Sequence, residues 1–289
     1  MDTEHAGARL TFVGNATTVL RVGRFTLLTD PNFLHKGQRA YLGYGLWSKR
    51  RTDPAFGIGD LPPLDAVVLS HLHGDHWDRE AQRGLPKTLP IVTTPQASRK
   101  LRRRGFRAAE GLGTWESADR VSGDQRLRVT AVPARHGPRG VHRLLPSTMG
   151  SIVDLEEDGR NRLRLYITGD TLYRPMLAEI GERYPDIDAM LIHLGGTKVA
   201  GVLLTMDGRH GARLAELIRP ARTIPIHYDD YTVFRSPLSD FERELADRGV
   251  ATRMTSWARG DSLTVPYRTD RAANPGTPGR VGGGSSSPA

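Results

Sequence analysis

Alternating and β-branched residues open the chain. Residues 9–13 and 17–22 read as strands, with Gly14-Asn15 as the turn between them. A second turn at Gly23-Arg24 leads into the apolar run 25–29, which stops at Asp30-Pro31. Residues 31–63 lose periodicity and are rich in Gly, Pro and aromatics, with Tyr41, Tyr44, Trp47 and Phe56 among them. Long irregular segments in compact domains often form lids or binding loops, and Trp47 and Phe56 are the candidate anchors of this one. The continuous run Ala66-Val67-Val68-Leu69-Ser70 predicts a strand buried on both faces.

Further along, residues 91–93 predict a strand, 95–104 a helix, and 127–132 a strand ending at Pro133. Residues 151–155 and 163–168 predict a hairpin about Glu156-Glu157-Asp158-Gly159. A helix fits 175–183, with Pro near its start. A strand over 189–194 precedes an amphipathic helix over 207–219, whose apolar face carries Leu214, Leu217 and Ile218. A strand over 223–226 and a helix over 237–248 follow. Strands, then mixed αβ, occur twice, which predicts an α/β fold of two similar halves rather than an alternating barrel. The expected domain is 1–266, and the Gly/Ser/Pro-rich segment 267–289 is expected to be a disordered tail.

Composition narrows the class. A chain of 289 residues can bury a sizeable core. No apolar run is long enough for a transmembrane helix. The polar start Met1-Asp2-Thr3-Glu4-His5 lacks the features of a signal peptide, so a cytoplasmic location is expected. Cysteine is absent, so any metal must be held by His, Asp or Glu. The net charge is +9, but only five of the 41 basic residues are Lys. Arg99, Lys100, Arg102, Arg103, Arg104 and Arg107 form one basic cluster. Such a helix is ordinarily a solvated face, and an anion-binding surface is the alternative.

The chemistry is concentrated in His71-Leu72-His73-Gly74-Asp75-His76, directly after a buried strand. An extended His-x-His puts both imidazoles on one side of the backbone. A turn at Gly74 then lets Asp75 and His76 point to a second position nearby. His136, Asp170 and His227 each follow a predicted strand, as does Asp30. Strand ends along one sheet edge converge on a crevice where ligands bind. Each residue alone is ordinary polar surface; together they form a metal-ligand set.

The pattern His71-x-His73-x-Asp75-His76, followed by His136, Asp170 and His227 and preceded by Asp30, resembles the metallo-β-lactamase superfamily. Leu194-Gly195-Gly196, Met206-Asp207 and Ile224-Pro225-Ile226-His227-Tyr228-Asp229 resemble its branch containing ascorbate-6-phosphate lactonase and the N-acyl-phosphatidylethanolamine phospholipase D. The resemblance implies a four-layer αβ/βα sandwich. It implies that His71, His73 and His136 hold one metal, that Asp75, His76 and His227 hold another, and that Asp170 bridges them. Asp30 would support a ligand histidine from behind. Two divalent ions are implied, Zn²⁺ first, with Mn²⁺ or Fe also suited to mixed His/carboxylate ligands. Asp75 and Asp170 would be the catalytic carboxylates. Thr205 stands before Met206, where the phospholipase members carry His.

A hydrolase acting on a phosphodiester, a lactone or a related small ester is therefore expected. A nuclease or nucleotide phosphodiesterase, favoured by the basic charge, is the rival, and a metal-bound binding protein without turnover is the third reading. The expected partner is a small-molecule substrate, with nucleic acid left open and self-association implied by the lactonase-like relatives. His193, Tyr228 and Arg235 are candidate substrate contacts, and His142 is a further candidate for meeting an anion. His5, His35 and His210 are read as non-ligands.

Overall fold

The computed structural model describes residues 7–138, 140 and 144–269. In chain order its first strands are β1 (Gly7–Gly14), β2 (Thr17–Val22), β3 (Phe25–Thr29), β4 (Arg39–Gly43), β5 (Leu46–Lys49), β6 (Ala66–Val68), β7 (Ile91–Thr93), β8 (Ala109–Gly111) and β9 (Ser117–Ser122). Then come β10 (Gln125–Val132), β11 (Gly150–Glu157), β12 (Arg160–Ile167), β13 (Ala189–His193), β14 (Lys198–Val199), β15 (Val202–Leu203), β16 (Arg222–Ile226), β17 (Arg253–Met254) and β18 (Ser262–Pro266). The helices are α1 (Arg79–Gly84), α2 (Pro95–Arg103), α3 (Ala178–Arg183), α4 (Gly208–Ile218) and α5 (Leu238–Asp247).

Two seven-stranded sheets carry the fold, ordered β18-β1-β2-β3-β6-β7-β8 and β17-β16-β13-β12-β11-β10-β9. Starting from β18 in one and from β9 in the other, each sheet makes three antiparallel pairings and then three parallel ones. The antiparallel part needs only tight turns, such as Gly14-Asn15 and Gly23-Arg24. The parallel part needs longer crossovers, which bring in helices. The two halves expected from the chain are these two sheets.

Apolar faces decide the layers. Leu10, Phe12, Leu20 and Leu27 of one sheet meet Leu127, Val129, Val153 and Leu191 of the other in a shared core. Outside the first sheet, Leu69 and Ile91 pack with Trp77, Ala81, Leu101 and Phe106, which seats α1 and α2. Outside the second, Ile152, Tyr166 and Met190 pack with Ile180, Leu214 and Phe241 of α3, α4 and α5. The result is the four-layer αβ/βα sandwich. Local signals agree with it: Thr94 accepts a hydrogen bond from the Ala97 amide at the start of α2, and Asp207 accepts one from His210 at the start of α4.

Three expectations change. The segment 31–63, read as irregular, contains the hairpin β4–β5. The hairpin lies outside both large sheets, and only Ala40 and Leu42 of it reach a small cluster with Leu34, Tyr231 and Phe234, too few positions for an apolar alternation to show. Trp47 is no anchor, because 59% of it is exposed; Phe56 does pack, against the core beneath α1 and α2. The segment expected to begin the tail starts with fixed contacts. The Tyr267 hydroxyl accepts the Gly23 amide at 2.6 Å, and Arg268 pairs with Asp188 at 2.8 Å. Residues 270–289, the rest of that segment, lie outside the described residues.

On α2, Arg99, Lys100 and Arg103 point to solvent, while Arg102 donates to the Ala109 carbonyl and Arg104 to Gln82. Among the described residues no helix is long and apolar enough to cross a membrane.

Candidate metal centre

Corresponding strands of the two sheets deliver the key side chains to one edge. Asp30 follows β3 and Asp170 follows β12, the fourth strands of their sheets. His71 follows β6 and His193 ends β13, the fifth strands. His227 follows β16, and His136 follows β10. The backbone is shaped for this. His227 and Asp30 both adopt positive φ, at 60° and 34°. Gly74 passes so close to β4 that a Cβ there would lie 2.8 Å from both the amide nitrogen and the carbonyl oxygen of Tyr41. The turn through His73–His76 is closed by the His76 and Trp77 amides, both donating to the His73 carbonyl.

Asp170 sits at the middle. Its Oδ2 lies 3.4 Å from His76 Nε2, 3.8 Å from His136 Nε2 and 3.9 Å from His71 Nε2, while Oδ1 lies 3.6 Å from His227 Nδ1. His71, His73, His136 and Asp170 offer ligand atoms that all lie within 4.8 Å of one another. So do Asp75, His76 and His227. The structure thus brings all seven predicted ligand residues together, every one of them buried.

A third group, Asp30, His76 and His193, meets the same distance test. Hydrogen bonds hold Asp30 and His76 of this group, while His193 Nε2 has no hydrogen-bond partner. Asp30 accepts from the Ser70 amide at 2.7 Å and the Ser70 hydroxyl at 2.8 Å, and faces His76 Nδ1 at 3.0 Å. His193 Nε2 approaches the same carboxylate at 3.4 Å, with its Nδ1 on the Thr168 hydroxyl. Asp30 therefore orients His76 so that Nε2 faces Asp170. His136 is oriented in the same way by the Leu204 carbonyl, 2.9 Å from its Nδ1.

The site residues fit a metal. His73 Nε2, His76 Nε2, Asp75 Oδ1 and Asp170 Oδ1 are fully buried and have no hydrogen-bond partner. Leaving that many polar atoms unsatisfied is costly, and cations would satisfy them together. Five imidazoles and two carboxylates suit Zn²⁺, Mn²⁺ or Fe.

Electrostatics splits the histidines. Burial, with His136 beside it, holds His73 down at about 3, and burial likewise lowers His71 and His136. These imidazoles are neutral and ready to ligate at neutral pH. Burial also disfavours charge on His76 and His227, yet the neighbouring carboxylates, Asp170 foremost, override it and raise both. Burial pushes the Asp30 carboxyl up, but His76 and His193 outweigh it and bring it to about 2. A prediction follows from the sign. A protonated His76 or His227 must release its proton to bind a cation, so affinity should rise with pH, by about tenfold per unit for each proton displaced. Calorimetry of Zn²⁺ binding at neutral pH in buffers of different ionisation enthalpy counts those protons. A count of zero would contradict the raised values.

The candidate substrate contacts are placed elsewhere. His193 is 1% exposed and is committed to Asp30 and Thr168. Tyr228 packs against the core beneath the second sheet's helices, and Arg235 lines a separate surface hollow with Asp207 and Asp240. Strand-end proximity in sequence did not reveal which way these side chains turn. His142 and His5 lie outside the described residues; His35 faces Asp53 at the surface, and His210 is on α4.

A cavity of about 310 Å³ instead opens onto His73, Asp75, His136 and Asp170, walled by the hairpins β4–β5 and β14–β15 and by Leu144. Sequence reading also missed Asn15, whose amide side chain donates to the Asp75 carbonyl and whose own carbonyl accepts the His227 amide. Its place in a Gly-Asn turn, with φ of 55°, was the available signal.

Comparison with known proteins gives a consistent picture. The beta-lactamase superfamily domain matches residues 27–228. The chain is 26% identical over 286 residues to the N-acyl-phosphatidylethanolamine-hydrolyzing phospholipase D 1 of Caenorhabditis elegans, covering 92% of this chain and 77% of that one. It is 26% identical over 272 residues to a metal-dependent hydrolase of Aeropyrum pernix, covering 90% and 98%. Among solved structures, the isothiocyanate hydrolase from Delia radicum gut bacteria superposes with a TM-score of 0.74 at 20% identity, covering 89% of this chain and 99% of that one.

Proposed function

The chain belongs to the beta-lactamase superfamily, and from that premise we propose that it is a metal-dependent hydrolase with a dinuclear centre. His71, His73 and His136 hold one divalent cation, Asp75, His76 and His227 hold the other, and Asp170 serves both. The observation that carries this reading is the convergence of seven buried ligand residues on Asp170, with four buried polar atoms lacking any other partner. The relatives named as metal-dependent hydrolases support it.

Divalent cations held by those residues would supply the positive charge that brings the pKa of a water to about 7 and polarises the oxygen of the bond to be cleaved. The chain's own residues do the rest. Asp75 lines the cavity and is pinned by the Asn15 side chain at its carbonyl, so its carboxylate can orient the attacking water or take its proton. Asp30, Ser70 and His193 fix His76, and the Leu204 carbonyl fixes His136. The cavity that opens onto Asp75 and Asp170 supports a small-molecule substrate, of which the ester, lactone and phosphodiester classes are the candidates.

The test is turnover of bis(p-nitrophenyl) phosphate and of a panel of lactones and esters by protein loaded with Zn²⁺ or with Mn²⁺. Metal-dependent hydrolysis abolished by a chelator is the expected result. Stoichiometric metal binding with no turnover of any panel member would favour a binding protein instead.

A further inference from the structure

The hydrolase reading leaves the substrate's character open, and the cavity above the centre addresses it. Its floor is polar: His73, Asp75, His136 and Asp170. Its walls are not. The β4–β5 hairpin contributes Leu42, Tyr44 and Leu46, and the β14–β15 hairpin with the residue after it contributes Val199, Val202 and Leu204. Both hairpins stand outside the two large sheets, so neither is required to complete one.

Several of these apolar side chains remain in water. Tyr44 is 70% exposed, Leu144 63%, Leu46 40% and Val202 39%. Their side chains all line one cavity, and the Tyr44 hydroxyl donates to the Leu144 carbonyl, tying hairpin to loop across its mouth. Clustered exposed apolar surface of this kind marks a binding site rather than scatter. The wall is also coupled to the centre, because the Leu204 carbonyl that orients His136 belongs to a residue of that wall.

We propose that the two hairpins form an apolar subsite, and that the substrate is an uncharged ester or lactone whose apolar chain or ring lies against Leu42, Leu46, Val199 and Val202 while its carbonyl reaches the centre. The proposal rests on the hydrolase reading of the same centre. In the reaction the water oxygen bonds to the acyl carbon and the acyl C–O bond breaks. One water proton ends on the departing alkoxide, and the carboxylic acid gives its proton to solvent. A sugar-like or charged group would instead leave its polar atoms facing Leu and Val without partners. The volume, near the lower end of the range of about 300–1,000 Å³ for ligand sites, suits a chain of modest length.

The experiment uses a series of p-nitrophenyl esters with straight acyl chains from acetyl to octanoyl and metal-loaded protein. The expected result is a kcat/KM that rises about two- to fourfold per methylene until the chain outgrows the cavity. In the double variant Leu46→Ser/Val202→Ser that dependence should flatten. A second arm measures equilibrium binding of straight-chain primary alcohols by calorimetry, with affinity expected to climb along the series in wild type and to flatten in the double variant. Indifference to chain length in both arms would overturn the apolar subsite. Chain-dependent alcohol binding without turnover of any ester or lactone would leave the subsite standing and overturn the ester or lactone assignment, while the absence of bis(p-nitrophenyl) phosphate turnover as well would count against the hydrolase reading.

Discussion

His73→Ala is expected to lower kcat/KM by about three orders of magnitude or more and to cost the protein one bound metal ion. His73 is 6% exposed, lines the cavity floor, and has an Nε2 with no other partner. A metal-held centre contributes several kcal/mol of transition-state stabilisation, and each 1.36 kcal/mol is about tenfold in rate. The variant should still fold. The turn that carries His73 is closed by its backbone carbonyl, which accepts the His76 and Trp77 amides, and alanine keeps that carbonyl. Metal analysis of the purified variant, beside its melting temperature without metal, separates loss of a ligand from loss of structure. Full activity in His73→Ala would refute the ligand set.

Asp230→Ala should produce the largest loss of stability. Behind the centre, Arg50 is fully buried, with one nitrogen donating to the Asn32 carbonyl at 3.0 Å and another 3.5 Å from Asp230. Asp230 also accepts the Asn15 amide at 2.8 Å and pairs with Arg259 at 3.0 Å. Removing one partner of a buried pair leaves a desolvated charge, at a cost of about 3–5 kcal/mol. For a chain of this size that lowers the melting temperature by roughly 10 °C. Burial alone would raise the Asp230 carboxyl, but Arg259 and Arg50 hold it below its ordinary value. The stabilisation is therefore complete above the ordinary carboxylate range and is lost as acid protonates the group, so the melt belongs at neutral pH. Asn15 links this site to Asp75 and His227, so metal affinity should weaken as well. The double variant Arg50→Met/Asp230→Leu, which removes both charges, should melt higher than Asp230→Ala. A single variant melting within about a degree of wild type would contradict this account.

Most of the centre was legible because its residues sit where a local rule applies. His71, His73, Asp75 and His76 lie in one short run after a buried strand, and His136, Asp170 and His227 each follow a strand that its own pattern revealed. Strand ends on one sheet edge must be neighbours once that sheet forms, and the fold that the resemblance implies sets the matching edges of the two sheets side by side. The candidate substrate contacts were less legible for the converse reason. His193, Tyr228 and Arg235 also flank strand ends, but side-chain direction there depends on what packs against them. His193 is turned to Asp30, Tyr228 to the helical core, and Arg235 to a different surface.

By itself the sequence determined the layered α/β architecture and the donor set. Periodicity follows from which faces are buried, and the absence of cysteine limits the donors to imidazole and carboxylate. Only the tertiary structure decided what surrounds that donor set. The cavity walls come from two short hairpins outside both large sheets; β4 sets only Ala40 and Leu42 on a small cluster with Leu34, Tyr231 and Phe234, too short a pattern to be read in advance. The supports at Asn15, Arg50 and Asp230 join residues up to 215 positions apart, and contacts at that separation exist only after the two sheets have closed on one another.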